Sequence, residues 1–113
     1  MAREADGAAE IVVVMITTGS EAEAEAVGEA LLAGRLVACV NRITGVKSRY
    51  WWQGALEEAE EWLLVAKTQR ALFPRVLEAV RAHHTYEVFE AIALPVVECN
   101  PDYARWVVES TTS

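Results

Sequence analysis

The stretch Ile11-Val-Val-Val-Met-Ile-Thr-Thr18 constrains this chain more than any other. It is almost entirely β-branched and shows no alternation of polar and apolar residues, the pattern of a strand inside its sheet with cover on both faces. With 113 residues, the chain builds one hydrophobic core and no second one. The strand's neighbours must therefore come from a single domain, expected over residues 11–113 behind a flexible tail over residues 1–10.

The remaining segments supply those neighbours. Gly19 ends the strand, and Ser20-Glu-Ala-Glu23 has the spacing of a capping box. A helix is predicted from about Ser20 to Ala33, with Ala24, Val27 and Leu31 inward and Gly34 as a left-handed C-cap. Leu36 to Trp52 reads as a long second strand with a bulge or bend at Gly45. Gln53-Gly54 turns the chain, and Leu56 to Lys67 returns as a third strand. Phe73, Val76, Leu77 and Val80 recur at helical spacing, with Pro74 in the first turn and an end near His83-His84. Glu87 to Val97 predicts a fourth strand, and Asn100-Pro101 opens a short helix with Tyr103, Trp106 and Val107 inward. The order βαββαβ plus a terminal helix is an α+β, ferredoxin-like sandwich, an antiparallel sheet of order 4-1-3-2 with two helices on one face.

That architecture leaves the second face of the sheet bare. Trp51 and Trp52 are adjacent on a strand, so their side chains leave it on opposite faces, and at least one large aromatic must point away from the chain's own core. With Tyr50 and Trp62 nearby, the alternatives are a subunit interface or burial beneath the terminal helix. Cys39 and Cys99 fall on opposite edge strands, an improbable pair for a disulfide, and are read as reduced thiols. A net charge of −7 with scattered basic residues disfavours nucleic acid as a partner. No apolar run approaches the roughly 18 to 20 residues of a membrane helix, so no membrane is expected. The first residues lack the basic start and apolar middle of a signal peptide, and a cytoplasmic protein is the expectation.

The chemistry-bearing residues are few. His83 and His84 are common ligands for copper or zinc, but neighbours on a helix diverge by about 100°, so the competing reading is cations at a helix C-terminus. Glu21, Glu25 and Glu29, like Glu57, Glu58, Glu60 and Glu61 in the hairpin, read as solvated acidic faces. No nucleophile elbow, phosphate-binding glycine loop, close cysteine pair or His-Glu-x-x-His occurs, so an enzyme is not expected. Lys67 and Thr68 at the end of the third strand, and His84, Tyr86 and Glu87 before the fourth, either gather at one cleft or merely cap the sheet. Catalysis there would need Lys67 and Glu87 as an acid and base pair, with no nucleophile or cofactor motif beside them.

Ala38-Cys39-Val40-Asn41, Ser48-x-Tyr50-x-Trp52-x-Gly54, Lys67-Thr68, His84-x-Tyr86-Glu87, Leu94-Pro95 and Tyr103-x-x-Trp106, taken in order, resemble the CutA divalent-cation tolerance family from Ile11 to about Glu109. The resemblance implies a ferredoxin-like protomer, a tightly packed homotrimer related to PII-type signalling trimers, and a role in tolerance of copper and other divalent cations. It implies no established catalytic activity and no required cofactor. A metal ion or small ligand is the expected partner, held in clefts between subunits lined by Lys67, Tyr86, Glu87 and Trp52. In the family the segment after the second helix usually reads His-Pro-Tyr-Glu-x-Pro. Here Thr85 and Phe89 replace both prolines, which implies a looser entry to the fourth strand. Some members are assigned copper ligands made of a late first-strand cysteine and a histidine pair; this chain has Ile16 at the cysteine position and matches the pair with His83 and His84. A structural or partner-binding trimer with incidental metal contacts is the alternative function.

Overall fold

The structure is a computed structural model that describes residues 10–111. Its elements are β1 (Ile11–Thr18), α1 (Glu21–Ala33), β2 (Cys39–Trp52), β3 (Ala55–Gln69), a 3-10 turn at Arg70–Leu72, α2 (Phe73–His83), β4 (Ala91–Pro95) and α3 (Pro101–Ser110). All of the expected tail except Glu10 lies outside the described residues, as do residues 112–113.

The four strands form one sheet in the order β2-β3-β1-β4, every pair antiparallel. β1 is interior, as its β-branched run requires. Ile11 to Thr18 pair with Gln69 to Trp62 on one side, and Val12 to Ile16 with Pro95 to Ala91 on the other. Strand alternation then sorts the residues into two faces. Val14, Ile16, Leu64 and Ala66 meet Val27 and Leu31 of α1 and Val76 and Val80 of α2, and all of them are fully buried. This is the core, one layer of sheet under two helices.

Several local expectations are met and others are corrected. The Ser20 Oγ accepts the Glu23 amide at 3.1 Å, but the Glu23 carboxylate reaches past Ser20 to the Gly19 amide, 2.9 Å away. Gly34 is not left-handed, with φ −84; Arg35, at φ 55, carries the reversal instead. There the chain exits through bonds from the Arg35 and Leu36 amides to Leu32 and Leu31, and the Arg35 guanidinium ties the exit to the Ser110 carbonyl at 3.1 Å. β2 begins at Cys39 rather than Leu36, because Leu36 and Val37 turn into the core and the Leu36 carbonyl is taken by the Thr68 hydroxyl. The register between β2 and β3 shifts between Ile43 and Val46, at the expected bulge, where Gly45 has φ +79. Gln53 and Gly54, with φ 51 and 82, form a left-handed two-residue hairpin turn. β4 is shorter than the expected Glu87 to Val97, because Tyr86 and Phe89 fold their rings around His84 and draw residues 87–90 off the sheet.

β1 stops at Thr18 opposite Trp62, so the hairpin beyond that point runs on without a third strand, and the molecule measures 51 × 26 × 23 Å. The second face of the sheet is covered at one end only. There α3 buries Val107 completely, Gln69 donates to the Thr111 hydroxyl at 2.8 Å, and the Tyr103 hydroxyl lies 3.6 Å from the Cys39 sulfur. Burial and that thiol contact push the Tyr103 phenol up to about 12. Both cysteines are free. Trp106, expected inward, is instead nearly half exposed, because α3 presents one narrow stripe to the sheet. The helix also stops short of the hairpin aromatics, leaving Trp51 at 74% exposure, and Ile43, Ile92 and Leu94 stay nearly half exposed on the sheet. No helix among the described residues is long and apolar enough to cross a membrane.

Candidate functional site

Where the hairpin leaves the edge of the sheet, a cleft of about 660 Å³ opens between β2, β3 and the segment joining α2 to β4. Its walls include Tyr50 and Trp52 on one side, Tyr86, Glu87 and Glu90 on the other, with Ser48, Thr17 and Glu61 between them. Antiparallel pairing places Ser48 opposite Ala59, so its hydroxyl reaches diagonally to Glu61 and donates to Oε1 at 2.7 Å. The Tyr86 hydroxyl donates to the other carboxylate oxygen at 2.9 Å. Burial, reinforced by the Glu61 carboxylate, raises the Tyr86 pKa well above the ordinary phenol value, so Tyr86 remains a hydrogen-bond donor throughout the physiological range.

A buried network holds Tyr86 in place. The His84 side chain is fully buried; its Nε2 donates to the Thr17 carbonyl at 2.7 Å and its Nδ1 accepts the Tyr86 amide at 3.1 Å, which defines the neutral Nε2–H tautomer. Glu23, at the start of α1, accepts amides from Gly19 and from Thr85. Burial alone would raise the Glu23 pKa, but these amides and the Thr85 side chain together hold it below its ordinary value. Gly19 is needed here for a steric reason, since a Cβ at that position would lie 2.8 Å from the Tyr86 hydroxyl.

Thr85 and Phe89, which stand where the family has prolines, each make a contact that ties the segment to its surroundings. The Thr85 amide, a donor proline lacks, is bonded to Glu23, and Phe89 stacks on His84 with ring centroids 5.1 Å apart, while the Arg81 guanidinium lies over the Phe89 ring, 5.3 Å from its centroid.

Of the residues singled out from sequence, Tyr86, Glu87 and Trp52 come together at this cleft. Lys67 does not. It pairs with Val13 near the start of β1 and binds Asn41, whereas Tyr86 adjoins the end of β1. The rise of a strand puts about 17 Å between these two ends. His83 and His84 do not face a common point. His83 is exposed, its Nδ1 donating to the Ala79 carbonyl at 3.0 Å, and its Nε2 has no hydrogen-bond partner among the described residues; both nitrogens of His84 are engaged. No group of three His, Cys, Asp or Glu side chains is arranged to hold a metal ion among the described residues.

Glu61, Ser48 and Glu23 were not marked as site residues by the sequence. Glu61 shares a strand face with Leu63 and Val65, the one signal that separates it from the solvated glutamates beside it.

A family model described as the CutA1 divalent ion tolerance protein matches residues 12–110. Divalent-cation tolerance protein CutA of Thermus thermophilus is 46% identical over 99 residues, covering 88% of this chain and 96% of that protein. Protein CutA of Mus musculus is 45% identical over 98 residues, covering 87% of this chain but 55% of the mouse protein. Among solved structures, the Thermus thermophilus protein superposes with a TM-score of 0.88 at 44% identity, covering 90% of this chain and 99% of that one. The Oryza sativa CutA1 crystal structure superposes with a TM-score of 0.87 at 35% identity, covering 90% and 94%.

Proposed function

The chain belongs to the CutA1 divalent ion tolerance family, and we propose that it works as a cytoplasmic homotrimer that binds a small ligand or a divalent cation at clefts beside its subunit boundaries and acts by binding rather than catalysis. The observation that carries this reading is the half-exposed apolar sheet face of Ile43, Ile92 and Leu94, adjoining the cleft built on Tyr86 and Glu61. An uncovered face of this kind is stabilised by self-association, and association of neighbouring hairpins sets further walls on the cleft.

For a metal ion such as copper, His83 is the ligand of choice. Its Nδ1–H is held by a backbone carbonyl and its Nε2 has no partner among the described residues, the arrangement that orients imidazole toward a metal. His84 would have to give up two hydrogen bonds to follow, so a pair of ligands at 83 and 84 requires the segment to rearrange. The alternative, a PII-type structural or partner-binding trimer with incidental metal contacts, is favoured by the absence of three convergent ligands among the described residues.

Light scattering combined with calorimetric titration of Cu(II) and Zn(II), with and without His83→Ala, tests the two readings. A mass of three chains with saturable binding lost in the variant supports metal binding at His83. A trimer whose metal uptake is unsaturable or unaltered by the substitution supports the alternative, and a stable monomer overturns both.

A further inference from the structure

Glu61 is an odd residue to bury. It is only 5% exposed, and its partners are two neutral hydroxyls, those of Ser48 and Tyr86, with no cationic side chain paired to it among the described residues. A buried carboxylate without a countercharge is unfavourable, and two neutral donors compensate it only in part. Each of its oxygens accepts one of these bonds and keeps a second acceptor position, and the residue lines the cleft. Glu87 and Glu90 add exposed carboxylates to the same cleft. Among the described residues, the one cationic residue in the lining, Arg49, is paired with Glu58 at 2.9 Å. The cleft is therefore electronegative and repels anions.

Its size and shape discriminate among cations. A divalent ion needs several close ligands, and no trio of them converges among the described residues. A cavity of about 660 Å³ instead suits an organic molecule, and Tyr50, Trp52 and Tyr86 supply the aromatic surface on which ammonium groups and their alkyl chains are stabilised.

Building on the ligand-binding reading of this cleft, we propose that its ligand is an organic cation with N–H donors, a protonated primary amine or polyamine. One ammonium is anchored on Glu61 between Ser48 and Tyr86, the alkyl chain runs along Tyr50 and Trp52, and a second charge is met by Glu87 or Glu90.

The test is a titration of the full chain with spermidine, followed by amide chemical shifts, at low and high salt. Saturable shifts at Ser48, Glu61 and Tyr86 that weaken with salt are expected. Glu61→Gln should weaken binding about tenfold or more, the effect of removing a charged hydrogen-bond acceptor. Should that variant fail to fold, Glu87→Gln/Glu90→Gln, altered only at exposed positions, carries the test with an expected loss of several-fold.

Absence of saturable shifts with spermidine, or binding unchanged in the folded variants, overturns the proposal. If Zn(II) or inorganic phosphate saturates the same amides while spermidine does not, the cationic-amine class fails and the ligand cleft stands. If none of these probes moves them, both fail together.

Discussion

Leu64 and Leu94 are the same residue on the two strands that flank β1, yet they stand on opposite faces of the sheet. Leu64, paired with Ile16, is sealed beneath α1 and α2, whereas Leu94, paired with Val13, remains nearly half exposed. Equal hydrophobicity has gone to two different ends. The helix-covered face completes itself with residues of this chain alone and holds the fold together. The other face is covered at one end by Val107 of α3 and is otherwise left half exposed.

The sharpest way to break that contrast is to damage each face separately. Leu64→Ala should cost about 3 kcal/mol of unfolding free energy, within the range for a large buried apolar residue, as read by denaturant titration, with no change of oligomeric mass. On the proposed trimer, Leu94→Asp should do the reverse and reduce the mass seen by light scattering from three chains to one. An unchanged mass would show that the bare face is not the contact surface. A smaller effect is expected from Glu23, which belongs to the covered side but positions the cleft. Glu23→Gln should lose about 1 to 2 kcal/mol, since it weakens charged hydrogen bonds to buried amides.

The pH dependence of that loss has a defined sign. The folded Glu23 pKa lies below the ordinary value of 4.5, so the carboxylate stabilises the fold fully above that value. The contribution disappears as pH falls below it, through the depressed folded value. Wild type and Glu23→Gln should therefore converge in stability in acid, and Thr85→Pro, which removes one of the donors, should narrow the gap between them. The smallest effect is expected on the free hairpin. Gly45→Ala forces a side chain into φ +79 with open space around it and should cost about 1 kcal/mol.

The fold was legible because its strongest signals are local and redundant. The β-branched run placed β1 in the sheet interior, the capping serine started α1, and Gln53-Gly54 set the hairpin. What sequence missed depended on strand direction and on contacts between distant segments. Lys67 and Tyr86 border strands on either side of β1, but β3 reaches Lys67 as β1 begins, while Tyr86 lies where β1 ends. Adjacency alone does not bring them together. Glu61 looked like its solvated neighbours because nothing local announces a tyrosine hydroxyl arriving from the far side of α2. His84 looked like a metal ligand because imidazole in sequence gives no sign that both nitrogens are already engaged by Thr17 and Tyr86.

The pairing of β1 also carries a consequence for biosynthesis. Its residues leave the ribosome first among the strands, but Ile11 bonds to Gln69 and Val12 to Pro95. At translation rates of roughly 5 to 20 residues per second, this apolar strand spends several seconds with one or both edges open. During that interval it resembles a segment prone to intermolecular β-pairing, so chaperone capture of the nascent chain is most valuable before β4 emerges. A ribosome that stalls between Gln69 and Ala91 would release a product whose most aggregation-prone edge is still unpaired.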